Sequence, residues 1–220
     1  MKNVFGRAAV IAAALGMALT SFSCAGKNSS ADESGHGNLV GNSPPDGVHI
    51  SEDEMPYGST VTQLKIDVPV PIEYDYRYMT EEEGRKISEY FSAVGLKDAD
   101  MLSEVSYDSY LEYNFASLNV SSLQEYVEGY YDSIKSYTGE DYEFSYFIVS
   151  DVTEDESVYP YYDNIINNIN PDAQIESRKV ATVDVYYDTE SAKNCPLYNK
   201  VGDYIKICIY QIDGQAYIMG

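Results

Sequence analysis

The stretch DYIKICIYQIDGQAYIM, residues 203 to 219, alternates apolar with polar side chains, breaks once at Asp213-Gly214, and then resumes. Alternation through Ile205, Ile207 and Ile209 is period two, the mark of a strand with one apolar face. Asp-Gly suits the two positive φ angles of a tight hairpin, so residues 203–212 and QAYIM read as antiparallel neighbours. RKVATVDVYYD, residues 178 to 188, has the same period. Its Val183 and Val185 belong on the face that carries Ile205, Ile207 and Ile209. Thr182, Asp184 and Tyr186 point the other way, as do Tyr204, Lys206, Cys208 and Tyr210. One face of this sheet therefore needs helices. The second is amphipathic and rich in tyrosine, which suits either solvent or a protein contact.

The helices lie upstream. Thr80 and Glu83 have the spacing of a capping box, with Glu81, Glu82 and Glu83 at the positive end of the helix dipole. Ile87, Tyr90, Phe91 and Val94 follow at helical spacing, and Gly95 is placed to end the helix. LKDADMLSEV, residues 96 to 105, reads as a shorter helix. Ser121 and Gln124 suggest a second capping box, ahead of the stripe Leu123, Tyr126, Val127, Tyr130, Ile134 and Tyr137. Gly139 stands where a C-terminal glycine belongs. Tyr142 to Ser150 reads as a strand, and Tyr161 to Asn170 as a short amphipathic helix stopped by Pro171. These stripes are core positions and contain no cofactor motif.

Before the helices, LKIDVPVPIEYDYRY, residues 64 to 78, alternates strictly. Its even positions are Leu64, Ile66, Val68, Val70, Ile72, Tyr74, Tyr76 and Tyr78. Pro69 and Pro71 lack ladder donors, so the segment is expected as an edge strand or a strap across the domain. The fold class is thus α+β, with N-terminal helices packed on a curved antiparallel sheet.

This order of elements, closed by IDGQAYIM, resembles the nuclear transport factor 2-like superfamily, which includes ketosteroid isomerase-like proteins. The resemblance covers residues 79–220. It implies a cone in which sheet and helices enclose a pocket that binds, catalyses or is filled with side chains, and in which members pair through the outer sheet face. It carries over no catalytic residue. EMPYGSTVTQLK with EYDYRYMTEEE also resembles lipoproteins of Firmicutes, a likeness that implies no activity.

The N-terminus supplies an address. Lys2 and Arg7 form a basic region, and Ala8 to Leu19 an apolar run too short to span a bilayer. Residues 1–23, ending in Ser21-Phe22-Ser23 and followed by Cys24, resemble a bacterial lipoprotein signal, which implies a diacylglyceryl group on Cys24. Two or three acyl chains, at about 0.8 kcal/mol per buried methylene, hold a domain at a membrane far better than one. The alternative is ordinary cleavage and secretion. Residues 24–55 are rich in Gly, Ser, Asn, Asp and Pro and are expected as a disordered tether. The sequence thus divides into signal (1–23), tether (24–55), strap (56–78) and domain (79–220), all beyond Cys24 expected outside the cytoplasm.

Composition narrows the chemistry. A net charge of −22 over 220 residues opposes nucleic acid, whose phosphates this chain cannot neutralise. Both histidines, His36 and His49, fall in the tether, which removes histidine-dependent catalysis and zinc from the domain. No phosphate loop occurs, and no cofactor is indicated. Asp151-Val152-Thr153-Glu154-Asp155-Glu156 clusters oxygens that suit calcium, yet it lacks the EF-hand spacing, and a solvated acidic loop is the plainer reading. Cys195 and Cys208 can form a disulfide in an exported domain or remain thiols. Asp184 and Lys206 are candidates for a cross-strand pair.

Three functions remain open. The first is a lipid-anchored accessory domain that binds a protein, peptide or small apolar ligand without chemistry. The second is an isomerase- or lyase-like enzyme using Asp184, Tyr186 and Tyr210. The third is a structural homodimer with Tyr204, Cys208 and Tyr210 at its contact.

Overall fold

The computed structural model describes residues 62–65, 67–154 and 157–220. The signal, Cys24 and the tether lie outside the described residues, as do Asp155 and Glu156.

The described residues form an α+β fold with six helices and one mixed sheet. The strands are β1 (Thr62–Lys65), β2 (Ile72–Asp75), β3 (Tyr142–Thr153), β4 (Ile175–Thr189), β5 (Cys195–Pro196), β6 (Ile205–Ile212) and β7 (Gln215–Met219). Their order is β1-β2-β3-β4-β6-β7, with β5 beside β4 past the end of β6. The helices are α1 (Glu81–Leu96), α2 (Ala99–Val105), α3 (Asp108–Leu118), α4 (Leu123–Thr138), α5 (Tyr159–Ile169) and α6 (Tyr198–Val201).

The capping box forms as read. Thr80 Oγ1 accepts from the Glu83 N–H at 3.2 Å, and Glu83 accepts from the Thr80 N–H at 2.7 Å. The Glu83 carboxylate also takes the Lys179 ammonium at 2.9 Å, which fastens α1 to β4. Gly95 does not end the helix: α1 runs to Leu96, and Lys97 caps it at φ 57°. Gly95 answers a packing need instead, because a Cβ there would stand 3.0 Å from the Phe144 ring. The cap of α4 is Ser122 with Glu125, one residue beyond the Ser121–Gln124 reading, while Ser121 Oγ donates to the Glu125 side chain at 2.7 Å. Gly139 closes α4 at φ 86°, as expected. Helix α3 was not anticipated. Its Tyr107 N-cap makes no side-chain bond, and only Ser109, Tyr110 and Leu111 are buried.

The proline segment divides in two. Pro69 and Pro71 occupy the link before β2, where a missing N–H costs no ladder bond. β2 is consequently an interior strand, antiparallel to β1 and parallel to β3 at Ile72↔Phe147 and Glu73↔Ile148, and β1 forms the edge. Ile72 and Tyr74 are fully buried as the alternation requires. Tyr76 and Tyr78 are exposed because the chain turns there, with Tyr78 N–H bonded to Asp75 O at 3.2 Å. Asp75, on the parity expected outside, is buried and held by Arg77.

Val183, Val185, Ile207 and Ile209 share one face and are at most 2% exposed, beneath α1, α2 and α4. Each such side chain contributes about 1.5–3 kcal/mol by leaving water. Phe91, Phe144 and Phe147 fill the space between α1 and β3, with centroids 5.2–6.0 Å apart. The second face is divided. Over one half, α5 lays Tyr159, Tyr162, Ile165 and Ile166 on Val180, Cys208, Tyr210 and Ile212. The other half carries no helix of that second cluster. Asp213 and Gly214, at φ 50° and 78°, make the expected β6–β7 turn.

Candidate functional site

The half of the second face beyond α5 carries a row of tyrosines and carboxylates. Asp184 stands on β4, with Ile148 of β3 opposite it. Its carboxylate accepts from Ser150 Oγ at 3.3 Å, a long bond, and it makes no ion pair among the described residues. Lys206 lies on the same face opposite Thr182, diagonal to Asp184, and no ion pair joins the two among the described residues. Partial burial raises the Asp184 pKa, opposed by the Ser150 hydrogen bond. Tyr186, two positions along β4, is raised first by burial and then by the negative charge of Asp184.

Tyr146 faces Tyr186 across the β3–β4 pair, with ring centroids 6.3 Å apart. Tyr146 donates to Glu73 Oε2 at 2.7 Å, which carries the row onto β2. On the other side, Tyr204 and Tyr198 stack at 5.3 Å and 28°, with 46% and 37% of their surfaces exposed. Tyr204 feels both Asp184 and Asp203, and its pKa rises chiefly by burial. The row therefore runs Glu73, Tyr146, Tyr186, Asp184, Tyr204, Tyr198. Burial raises the pKa of Tyr146, Tyr186 and Tyr204, so these phenols stay protonated at neutral pH as donors and quadrupolar faces.

Sequence reasoning found Asp184, Tyr186 and Tyr204 but missed Tyr146. Simple parity puts Tyr146 with Tyr142 and Phe144, in the core. The register shift between Phe144/Tyr187 and Tyr146/Tyr186 leaves Ser145 as an extra residue, and such a bulge turns the following side chains over, here as far as the second shift between Val149 and Asp151. Tyr198 and Glu73 carry no local signal, since each joins the row only through tertiary placement.

Tyr210 belongs elsewhere. It pairs with Arg178, six positions along β4 from Asp184, a separation of about 20 Å at the usual strand rise. It is fully buried under α5, and its hydroxyl donates to Asp163 Oδ1 at 3.1 Å. Arg178 closes the network by pairing with Asp163 and lying over the Tyr159 ring. Burial and the Asp163 charge push the Tyr210 pKa far up. The structure thus does not unite Asp184, Tyr186 and Tyr210 into one acid–base set. Of the three residues offered as a partner contact, Tyr204 is exposed, whereas Cys208 and Tyr210 are covered by the chain's own α5.

Neither Cys195 nor Cys208 is in a disulfide. Cys195 lies opposite Tyr187 and Cys208 opposite Val180, about 23 Å apart along β4, far beyond the reach of a disulfide. Among the described residues, no three His, Cys, Asp or Glu side chains converge as a metal site. Comparison with protein-family models, with curated proteins and with solved structures gives no match.

Proposed function

We propose that this chain is a lipid-anchored extracytoplasmic binding domain, held to the membrane through Cys24, that engages a protein or peptide partner without chemistry of its own. Its α+β architecture is read as a form of the nuclear transport factor 2-like cone, supported by the sequence of helices, strand, short helix and antiparallel run closing on the Asp213-Gly214 hairpin. The observation that carries the binding reading is the divided second face. One half is sealed by α5, and the other presents Tyr146, Tyr186, Tyr198 and Tyr204, an amphipathic surface of the kind that recognition sites favour. The basic n-region, the short apolar run and Cys24 support the anchor.

The test has two parts. Metabolic labelling with an alkyne fatty acid should mark the chain and should fail in Cys24→Ser. A photo-crosslinker at Tyr204 should yield a discrete adduct in the parent membrane, whereas the same group at exposed Glu112 of α3 should not. Equal adducts at both positions, or none at Tyr204, would refute the contact surface. A second reading, an isomerase- or lyase-like enzyme, draws on the raised Asp184 pKa beside Tyr186. It requires turnover that disappears in Asp184→Asn and Tyr186→Phe.

A further inference from the structure

We propose that the open tyrosine face takes an arginine or lysine side chain from an extended segment of the partner, its charged head against Asp184 and between the rings of Tyr186 and Tyr204. The inference rests on the binding reading above and adds the chemistry of what binds.

Charge complementarity carries it. Three carboxylates punctuate the row: Glu73 at one end, Asp184 in the middle and Asp203 beside Tyr204. Glu73 is engaged by the Tyr146 hydroxyl at 2.7 Å, and Asp203 by the Tyr204 N–H at 2.8 Å. Asp184 has only the 3.3 Å bond from Ser150 and no counter-cation among the described residues. A half-buried carboxylate in that state is incompletely solvated and incompletely paired, which an incoming cation corrects. Lys206, on the same face opposite Thr182, stands two positions further along the chain than Tyr204, and it makes no ion pair with Asp184 among the described residues.

The rings add a second attraction. A guanidinium or ammonium over a phenol is held by the ring quadrupole, more strongly when partly desolvated. Tyr186 follows Asp184 two positions along β4, and the Val183↔Ile205 pair brings Tyr204 alongside Asp184 on the same face, so a cation at Asp184 has a phenol on either side. The exposed Tyr198–Tyr204 stack offers a flat continuation for a guanidinium plane. The row crosses from β2 to β6 over about 14 Å at the usual strand spacing, the length of four or five extended residues. A sheet face of that width spans a short extended peptide with a cation on alternate residues.

The experiment is isothermal titration of the purified full-length chain with a blocked eight-residue peptide of alternating threonine and arginine. Counterparts replace arginine by lysine, glutamine or glutamate. The arginine peptide should bind, Asp184→Asn should weaken it about tenfold, and Tyr204→Ala should weaken it several-fold. Asp172→Asn, which removes an exposed carboxylate in the α5–β4 loop, controls for attraction by the overall charge of −22. Equal loss in the Asp172 and Asp184 variants would overturn the proposal, as would failure of the arginine and lysine peptides to bind. Glutamine peptide binding as tightly, with Asp184→Asn unaffected, would also overturn it while leaving the peptide-binding reading standing. The crosslink at Tyr204 tests that reading separately.

Discussion

Asp163→Ala should cost about 2–3 kcal/mol and loosen α5 from the sheet. Asp163 is the shared acceptor for Tyr210 below and Arg178 beside it. Tyr210 is fully buried, and its remaining acceptor, the Tyr159 carbonyl, stands at 3.4 Å. Leaving that hydroxyl nearly orphaned costs about 1–2 kcal/mol. The Arg178–Asp163 pair has side chains 37% and 22% exposed, so solvent screening holds its share to about 1 kcal/mol. The double mutant is the sharper test. Tyr210→Phe removes the orphan, so Asp163→Ala/Tyr210→Phe should be about 1 kcal/mol more stable than Asp163→Ala alone. Urea unfolding of the four proteins gives the coupling, and amide exchange localises it to residues 159–169. A double variant no more stable than Asp163→Ala, or a single variant within about 0.5 kcal/mol of the parent, would rule out this role for Asp163.

Other consequences are more local. Asp184 has a raised folded pKa, so its charge opposes folding as pH climbs through that value, and protonation relieves it. Asp184→Asn should therefore raise the urea midpoint at pH 7, an advantage that fades once the pH falls below about 4, where the carboxyl is protonated in both states. Gly84→Ala would place a Cβ 2.6 Å from the buried Tyr74 ring, and thermal unfolding should show a net loss of about 1–2 kcal/mol despite better helix propensity. In the native protein a thiol reagent should modify half-buried Cys195 and spare Cys208 until denaturant is added; an intramolecular disulfide in the oxidised protein would contradict the 180/187 register. Gly214→Ala should cost about 1 kcal/mol, measured by urea unfolding, because the turn holds φ at 78°.

The elements were legible wherever a local rule governs them. Period-two alternation placed Val183, Val185, Ile207 and Ile209 on one buried face, and Asp213-Gly214 marked the hairpin, because side-chain direction and turn geometry are set within a few residues. The α1 cap, the Gly139 cap and the QAYIM strand follow from the same short-range physics. Helix α3 escaped because it lacks both a cap and a long apolar stripe, and its place depends on packing beside α5. The prolines point to an edge strand or strap for residues 64–78, whereas the fold confines them to a link and sets β2, inside that segment, in the sheet interior.

Local periodicity alone specifies an α+β domain with one apolar sheet face and a tyrosine-rich second face. Which tyrosines remain open was decided by tertiary structure alone. The Ser145 bulge turned Tyr146 outward, the docking of α5 buried Cys208 and Tyr210, and β5 with α6 brought Tyr198 against Tyr204. Register, bulges and helix docking depend on contacts between residues distant in the chain. Local periodicity records none of these, so a face can be read from the sequence before its occupant can.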